Sequence, residues 1–255
     1  SMAGIQFWPE MSGLDQEFLA AAARFKQTIS VFTNVVYDTS QTHANVVFPH
    51  MFAWLETILE VIRKNPDTLF VIRAHPDEMR PGTAKLSNES VQDWVTGNQV
   101  EELPNVVFIN PQEYISSYEL IQLSKFVLVY NSSIGLEAAL SGKVVLCGGK
   151  ARYTRYPMVY FPTSEVDLLN QIELLLNADE VVLPADFQEN ARRFLYYQLF
   201  RVSLPLDDFL ETIPRKGFVK LKSFSWERLH PENSNTMHIM YKGIINGEPF
   251  LFQDS

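Results

Sequence analysis

Apolar residues along this chain recur in two rhythms that take turns. Residues 14–26 place Phe18, Leu19, Ala22 and Phe25 on one helical stripe, and Ile29 to Phe32 then reads as a short buried strand. Residues 48–64 carry Phe48, Met51, Phe52, Leu55, Ile58, Leu59 and Ile62 at helical spacing until Asn65-Pro66 stops them. Strands are expected at 69–72, 106–109, 126–129 and 144–147, with helices at 91–95, 116–123, 133–141, 166–177 and 186–200 between and after them. Gly142 is placed to close the helix that starts at Ser133. Strand and helix alternate, which predicts right-handed crossovers and an α/β, doubly wound parallel sheet covered on both faces.

The rhythm changes after about residue 213. Short alternating runs at 218–221 and 238–241, with a turn at Asn246-Gly247, read as a small C-terminal β extension. The expected division is therefore 1–27 for a tag and helix, 28–213 for a Rossmann-like nucleotide-binding domain and 214–255 for the extension. Ser1-Met2-Ala3-Gly4 reads as an expression remnant. Residues 79–89 form a polar loop able to order over a ligand.

Composition narrows the chemistry. A net charge of −9 argues against a surface for duplex nucleic acid, whose affinity comes from many Lys and Arg contacts. Cys147 is the single cysteine, so no intrachain disulfide forms, and no run suits a membrane helix or signal peptide; the expected compartment is the cytoplasm. The chain lacks G-x-x-x-x-G-K-[ST], G-x-G-x-x-G and G-x-S-x-G motifs. No histidine spacing suggests a metal triad, so no metal or cofactor is expected; His50 reads as a packing residue within its helix.

The candidate chemistry lies where apolar strands run into polar residues. After strand 69–72 come Arg73, Ala74, His75 and Pro76; the proline ends the strand, so the imidazole is presented at its tip beside a guanidinium, a pair suited to an anion. The plainer reading makes His75 a cap for the next loop and Arg73 a partner of a carboxylate. After strand 126–129 come Asn131, Ser132 and Ser133, whose hydroxyls and helix-opening N–H groups suit a phosphate, although Ser133 also fits a simple N-cap. Gly135 permits a close approach near this helix start, and Glu137 is placed to accept ribose hydroxyls or merely to face a positive helix end. Thr33, Asn34 and Asp38 follow the first strand onto the same rim, Asp38 as a base or nucleophile at a sugar carbon, or as a turn cap. Arg152 and Tyr153 follow Gly148-Gly149 and are candidates for substrate binding.

These residues, in the order Thr33-Asn34 with Tyr37-Asp38, Trp54-Leu55, Ile72-Arg73-Ala74-His75-Pro76-Asp77-Glu78 and Val129-Tyr130-Asn131-Ser132-Ser133-Ile134-Gly135-Leu136-Glu137, resemble the capsule polysaccharide biosynthesis family. The resemblance spans roughly residues 28 to 180 and implies a GT-B-type glycosyltransferase of bacterial surface glycans, similar to transferases of 3-deoxy-D-manno-octulosonic acid (Kdo). The His-Pro and Ser-Ser motifs also resemble those of bacterial transferases that use CMP-sugars. The likeness implies a nucleotide-sugar donor such as CMP-Kdo, with His75, Ser132 and Ser133 at its phosphate and Glu137 near its ribose; Arg73 and Asn131 join the expected nucleotide-binding set from their own placement, and Asp38 and His75 are the candidates for catalysis. The likeness also implies a glycan or glycolipid acceptor. Too few residues precede the first strand for a second Rossmann-like half, so the chain is expected to be an isolated donor-binding half or to take its acceptor-binding half from another chain. The competing functions are a non-catalytic nucleotide-binding or assembly module and a nucleotide-sugar epimerase.

Overall fold

The computed structural model describes residues 11–36, 41–79, 89–214 and 218–252. Up to Ala191 these form one compact unit, and from Arg192 on they belong to a second.

The first unit is built on five parallel strands, β1 (Gln27–Phe32), β2 (Thr68–Arg73), β3 (Val106–Ile109), β4 (Val127–Val129) and β5 (Val145–Cys147), in the order β3-β2-β1-β4-β5. The helices in chain order are α1 (Gln16–Ala22), α2 (Gln41–Ala44), α3 (Met51–Lys64), α4 (Val91–Gly97), α5 (Ser117–Leu123), α6 (Ile134–Leu140) and α7 (Glu165–Asn177). Alternate residues of each strand serve opposite faces. Ile29, Val31, Phe70, Ile72, Leu128 and Tyr130 join a core with Trp54, Leu55, Ile58 and Ile62 of α3, Val91 and Val95 of α4, and Leu168 and Ile172 of α7. On the other face Ser30 donates to Leu120 O of α5 at 3.3 Å and receives the Ser124 hydroxyl at 2.7 Å. Helices thus cover both sides, and the expected doubly wound sheet is present.

Local signals fix the helix ends. Ser90, Ser116 and Ser164 cap α4, α5 and α7 with side-chain oxygens, as Ser residues do where the first N–H groups lack partners. Gly142 closes α6 at φ +80°, a conformation costly for a residue with a Cβ. His50 departs from expectation: α3 begins at Met51, and His50 is its exposed N-cap, Nδ1 accepting the Ala53 N–H at 3.0 Å, rather than a packed core residue.

The edge of the sheet at the strand N-termini is tightly tied. Asn105, 2% exposed, donates from Nδ2 to the carbonyls of Ile62, Asn65 and Thr68 at 3.0–3.2 Å, joining the end of α3 to the start of β2. Lys125 Nζ ties Gln27 Oε1 to the carbonyls of Leu176 and Ala178 at 2.6–3.1 Å.

The second unit starts inside α8 (Phe187–Tyr196), which continues as one wide π turn over Tyr197–Arg201. The division falls here rather than at residue 213 because the residues before 213 are bonded to those after it. Phe252 N–H donates to Arg201 O at 2.7 Å, Thr236 Oγ1 to Pro205 O at 2.8 Å, and Phe209 meets Phe224 edge to face. The expected β extension is half correct. Strand β6 (Leu210–Thr212) pairs antiparallel with β7 (Val219–Leu221), but residues 238–241 lie within the helix α9 (Asn235–Asn246). A four-residue run fits either period; Ser234 accepting the Met237 N–H and Gly247 at φ +70° set the helix limits. Among the described residues no helix is long and apolar enough to cross a membrane.

Asn105→Ala, which removes the side-chain donor shared by the carbonyls of Ile62, Asn65 and Thr68, is expected to lower unfolding free energy by about 1–2 kcal/mol, measured by urea denaturation at neutral pH.

Candidate functional site

β1 sits at the centre of the sheet, and both neighbours end level with it. Phe32 is in register with Arg73 of β2 on one side and Val129 of β4 on the other. The chain moves outward from β1 in one direction through β2 and β3, and in the other through β4 and β5, so the C-terminal end of β1 is the point where the topology switches, the place at which open α/β sheets bind ligands. Thr33-Asn34, His75 and Asn131-Ser132-Ser133 leave three adjacent strands here, and the outer two strands stand about 10 Å apart at ordinary strand spacing.

The loop after β1 is anchored by its own side chains. Thr33 is buried, and both its N–H and hydroxyl donate to Arg73 O at 3.2 Å. Asn34 Oδ1 accepts the Asn131 N–H at 3.3 Å, lacing the β1 loop to the β4 loop. Asn131 Oδ1 is itself buried without a hydrogen-bond partner.

His75 is half-buried and ordered. Its Nδ1 accepts the Asp77 N–H at 3.1 Å at the head of a 3₁₀ turn, Pro76–Met79. An Nδ1 that accepts carries no proton, so in the neutral ring the N–H is on Nε2. The plainer reading of His75, a cap for the next loop, is thus present through Nδ1. Arg73 is 2% exposed; its guanidinium turns toward the loop after β3, Nη1 donating to Asn110 O at 3.1 Å, while Nε and Nη2 are buried without a hydrogen-bond partner among the described residues. Burial lowers its pKa, opposed by Glu113 and Tyr114, yet a guanidinium stays charged. Arg73 is therefore a positive charge behind the rim, holding the β3 loop rather than flanking the imidazole at the surface.

At the head of α6 the Ser133 hydroxyl makes no capping bond, so the residue occupies the N-cap position without spending its side chain there. Ser133 is exposed and Ser132 buried. Glu137 accepts the Tyr118 hydroxyl at 2.5 Å, which raises the Tyr118 pKa to about 12. Tyr153, expected to touch substrate, lies instead beneath the loop: it is 4% exposed and donates to Ser132 O at 2.5 Å. A Cβ on Gly135 would collide with the Tyr153 hydroxyl, so the close approach at that glycine is made by this tyrosine and not by a ligand. Arg152, one residue earlier in the 3₁₀ turn Arg152–Arg155, is exposed. Asp38 lies outside the described residues.

Glu78 was not singled out in the sequence, and it is the most perturbed carboxyl at this edge. It is 2% exposed, Oε1 accepts the Val91 N–H at 3.0 Å, and Oε2 is buried with no partner among the described residues. Burial raises its pKa to about 7, with Asp93 adding to the rise and the Val91 N–H opposing it. The Pro76 break followed by an acidic turn is the only signal that hinted at it.

The family described as "Capsule polysaccharide biosynthesis protein" matches residues 12–158, more than half of the chain. No curated protein matches it. Similar solved structures include the β-Kdo 2,7-transferase part of KpsC from Thermosulfurimonas dismutans, at 20% identity and a TM-score of 0.40 over 69% of this chain and 49% of that one. UDP-GlcNAc 2-epimerase from Neisseria meningitidis, solved with UDP-GlcNAc, is 19% identical with a TM-score of 0.42 over 69% and 42%. Sucrose-phosphate synthase from Thermosynechococcus elongatus is 14% identical with a TM-score of 0.44 over 68% and 42%. The chain spans less than half the length of each of these structures.

Two outcomes are expected of these groups. In the folded chain Glu78 holds its proton up to about pH 7, and in the unfolded chain it loses it near 4.5, so the native state binds more protons between these values and stability falls as pH rises through the window. The loss reaches at most about 3 kcal/mol, and Glu78→Gln flattens it; urea unfolding at pH 5 and pH 8 compares the two slopes. Gly135→Ala is expected to cost about 1–3 kcal/mol, and Tyr153→Phe in the same chain to recover part of that by removing the colliding oxygen, read as a double-mutant cycle.

Proposed function

The chain belongs to the capsule polysaccharide biosynthesis family, and from that premise we propose that it is the donor-binding part of a glycosyltransferase that uses a nucleotide-activated sugar. The observation that carries this reading is the level ending of β2, β1 and β4, which sets the His75 tip and the Ser132-Ser133 loop on either side of one crevice. The donor we propose is a CMP-linked acidic sugar such as CMP-Kdo.

In this mechanism the scissile bond joins the sugar to a phosphate oxygen, and negative charge grows on that phosphate as the bond breaks. His75 Nε2–H and the Ser132 and Ser133 hydroxyls donate to its oxygens, and the buried Arg73 charge adds positive potential behind them. This arrangement neutralises the leaving group through the protein's own donors and without a divalent ion. Glu137, oriented by Tyr118, accepts a ribose hydroxyl. Thr33 and Asn34 position the crevice wall, and Asp38 is the in-chain candidate for activating the acceptor hydroxyl. Arg152 at the exposed end of the β5 loop contributes charge toward the sugar acid. The acceptor, a glycan or glycolipid of the cell surface, is presented by a separate half of the enzyme.

Isothermal titration with CMP, CDP and UDP tests this. His75→Asn keeps an acceptor for the Asp77 N–H and removes the Nε2 donor, so it isolates ligand contact from capping. We expect a loss of roughly 10- to 100-fold in affinity for the preferred nucleotide, and about tenfold for Ser132→Ala with Ser133→Ala, with unchanged thermal midpoints. Nucleotide affinity indifferent to both variants would sink the assignment; binding without sugar transfer or donor hydrolysis would make the chain a binding module instead.

A further inference from the structure

The Ser132-Ser133 loop is held from beneath by a single hydroxyl. Tyr153, in the 3₁₀ turn that follows β5, is 4% exposed and donates to Ser132 O at 2.5 Å. The turn that carries it is itself braced: Thr154 Oγ1 donates to Ala151 O at 2.8 Å and accepts the Ala151 N–H at 3.2 Å, and Tyr156 N–H donates to Tyr153 O at 3.2 Å. On its other side the Tyr153 hydroxyl accepts the Cys147 thiol at 4.0 Å, so its one proton is committed to Ser132 O. Burial holds the Tyr153 pKa well above its ordinary value, with Cys147 and Glu137 adding to the rise, and the group is a donor at neutral pH.

Ser132 O also receives the Gly135 N–H at 3.1 Å, which fills its second acceptor position. The peptide that joins Ser132 to Ser133 is planar. Fixing its carbonyl from two sides sets that plane, and with it the direction in which the chain reaches Ser133, whose side chain is exposed and whose hydroxyl makes no capping bond. Upstream, Asn34 Oδ1 holds the Asn131 N–H at 3.3 Å. Gly135 belongs to the same arrangement. A Cβ there would meet the Tyr153 hydroxyl and Val129 Cγ2, and glycine, although it weakens a helix, leaves room for the oxygen. A phenylalanine ring would fill the space of Tyr153 as well; what the hydroxyl adds is the tie to Ser132 O.

We propose that Tyr153 is a positioning residue for nucleotide binding, its hydroxyl drawing the Ser132 carbonyl inward and so fixing where the Ser132 and Ser133 side chains meet the donor phosphate. The proposal rests on the reading of that loop as phosphate-binding.

The test is isothermal titration of the whole chain with CMP, CDP and UDP, following the tightest of the three. Tyr153→Phe keeps the ring and leaves Ser132 O its bond from Gly135, and it is expected to weaken binding by roughly three- to tenfold while the chain stays folded by thermal melting. In a chain that already carries Ser132→Ala and Ser133→Ala the same substitution is expected to cost less than about twofold, because the hydroxyls it positions are gone. A merely structural tyrosine would lower affinity equally in both backgrounds, and that result overturns the proposal. So does a Tyr153→Phe chain that binds as tightly as the wild type while the serine variant binds weakly, an outcome that leaves the donor reading intact. Nucleotide binding that is absent, or indifferent to the serines, removes the donor reading and this proposal with it. Gly135→Ala displaces the hydroxyl instead of removing it and is expected to weaken binding in the same direction; it carries the comparison if Tyr153→Phe does not fold.

Discussion

Phe32 is hydrogen-bonded in register with β2 on one side and β4 on the other, and the geometry of this protein depends on that double pairing. A central strand in a parallel sheet has both edges occupied and both faces buried, so its residues are apolar and its polar neighbours are displaced to the ends. β1 follows this with two exceptions: from Thr28 to Phe32 every residue is buried, Thr28 and Ser30 are the polar ones, Ser30 with its bonds to Leu120 O and Ser124 inside the fold, and the polar loop begins at Thr33 and Asn34. Because β2 and β4 stop level with it, three polar loops emerge together. A slip of one residue in either pairing would turn the buried side chains of that strand to the wrong face, so the core that holds the sheet also sets the alignment of the loops.

The two ends of the sheet are finished differently. At the N-terminal edge Asn105 and Lys125 saturate the carbonyls that the strands and helices leave behind. At the C-terminal edge Arg73, Asn131 and Glu78 keep buried polar atoms without partners among the described residues. Unsatisfied buried groups cost free energy, so these atoms make the C-terminal edge the costlier of the two to bury.

The sheet, its order of elements and the rim were legible because strand and helix periods differ and because Pro76 and Gly142 punctuate them. The roles of single residues were less so. Tyr153 sits among Arg152 and Arg155 in the chain and reads as a ligand residue, but a 3₁₀ turn buries one side chain while exposing its neighbours, and the buried one is the tyrosine. Arg73 reads as a surface anion ligand because its type is seldom buried; only the alternation of β2 and the bond to Asn110 show it held inside. The helix at 235–246 was misread because four residues cannot distinguish the two periods.

Charge sharpens what the rim must do. Residues 1–191 carry 12 Lys and Arg against 23 Asp and Glu, whereas residues 192–255 carry nine against seven. The phosphate of the donor proposed above therefore meets an adverse field at long range, and salt at physiological strength screens that field beyond about 8 Å. On that proposal affinity has to come from inside that distance, through directed donors where each hydrogen bond to a charged oxygen is worth most. The groups of the rim are held in advance: His75 is pinned through Nδ1, Thr33 through two bonds to one carbonyl, and the Ser132 loop from beneath by Tyr153. Donors fixed before the ligand arrives lose little entropy on binding it.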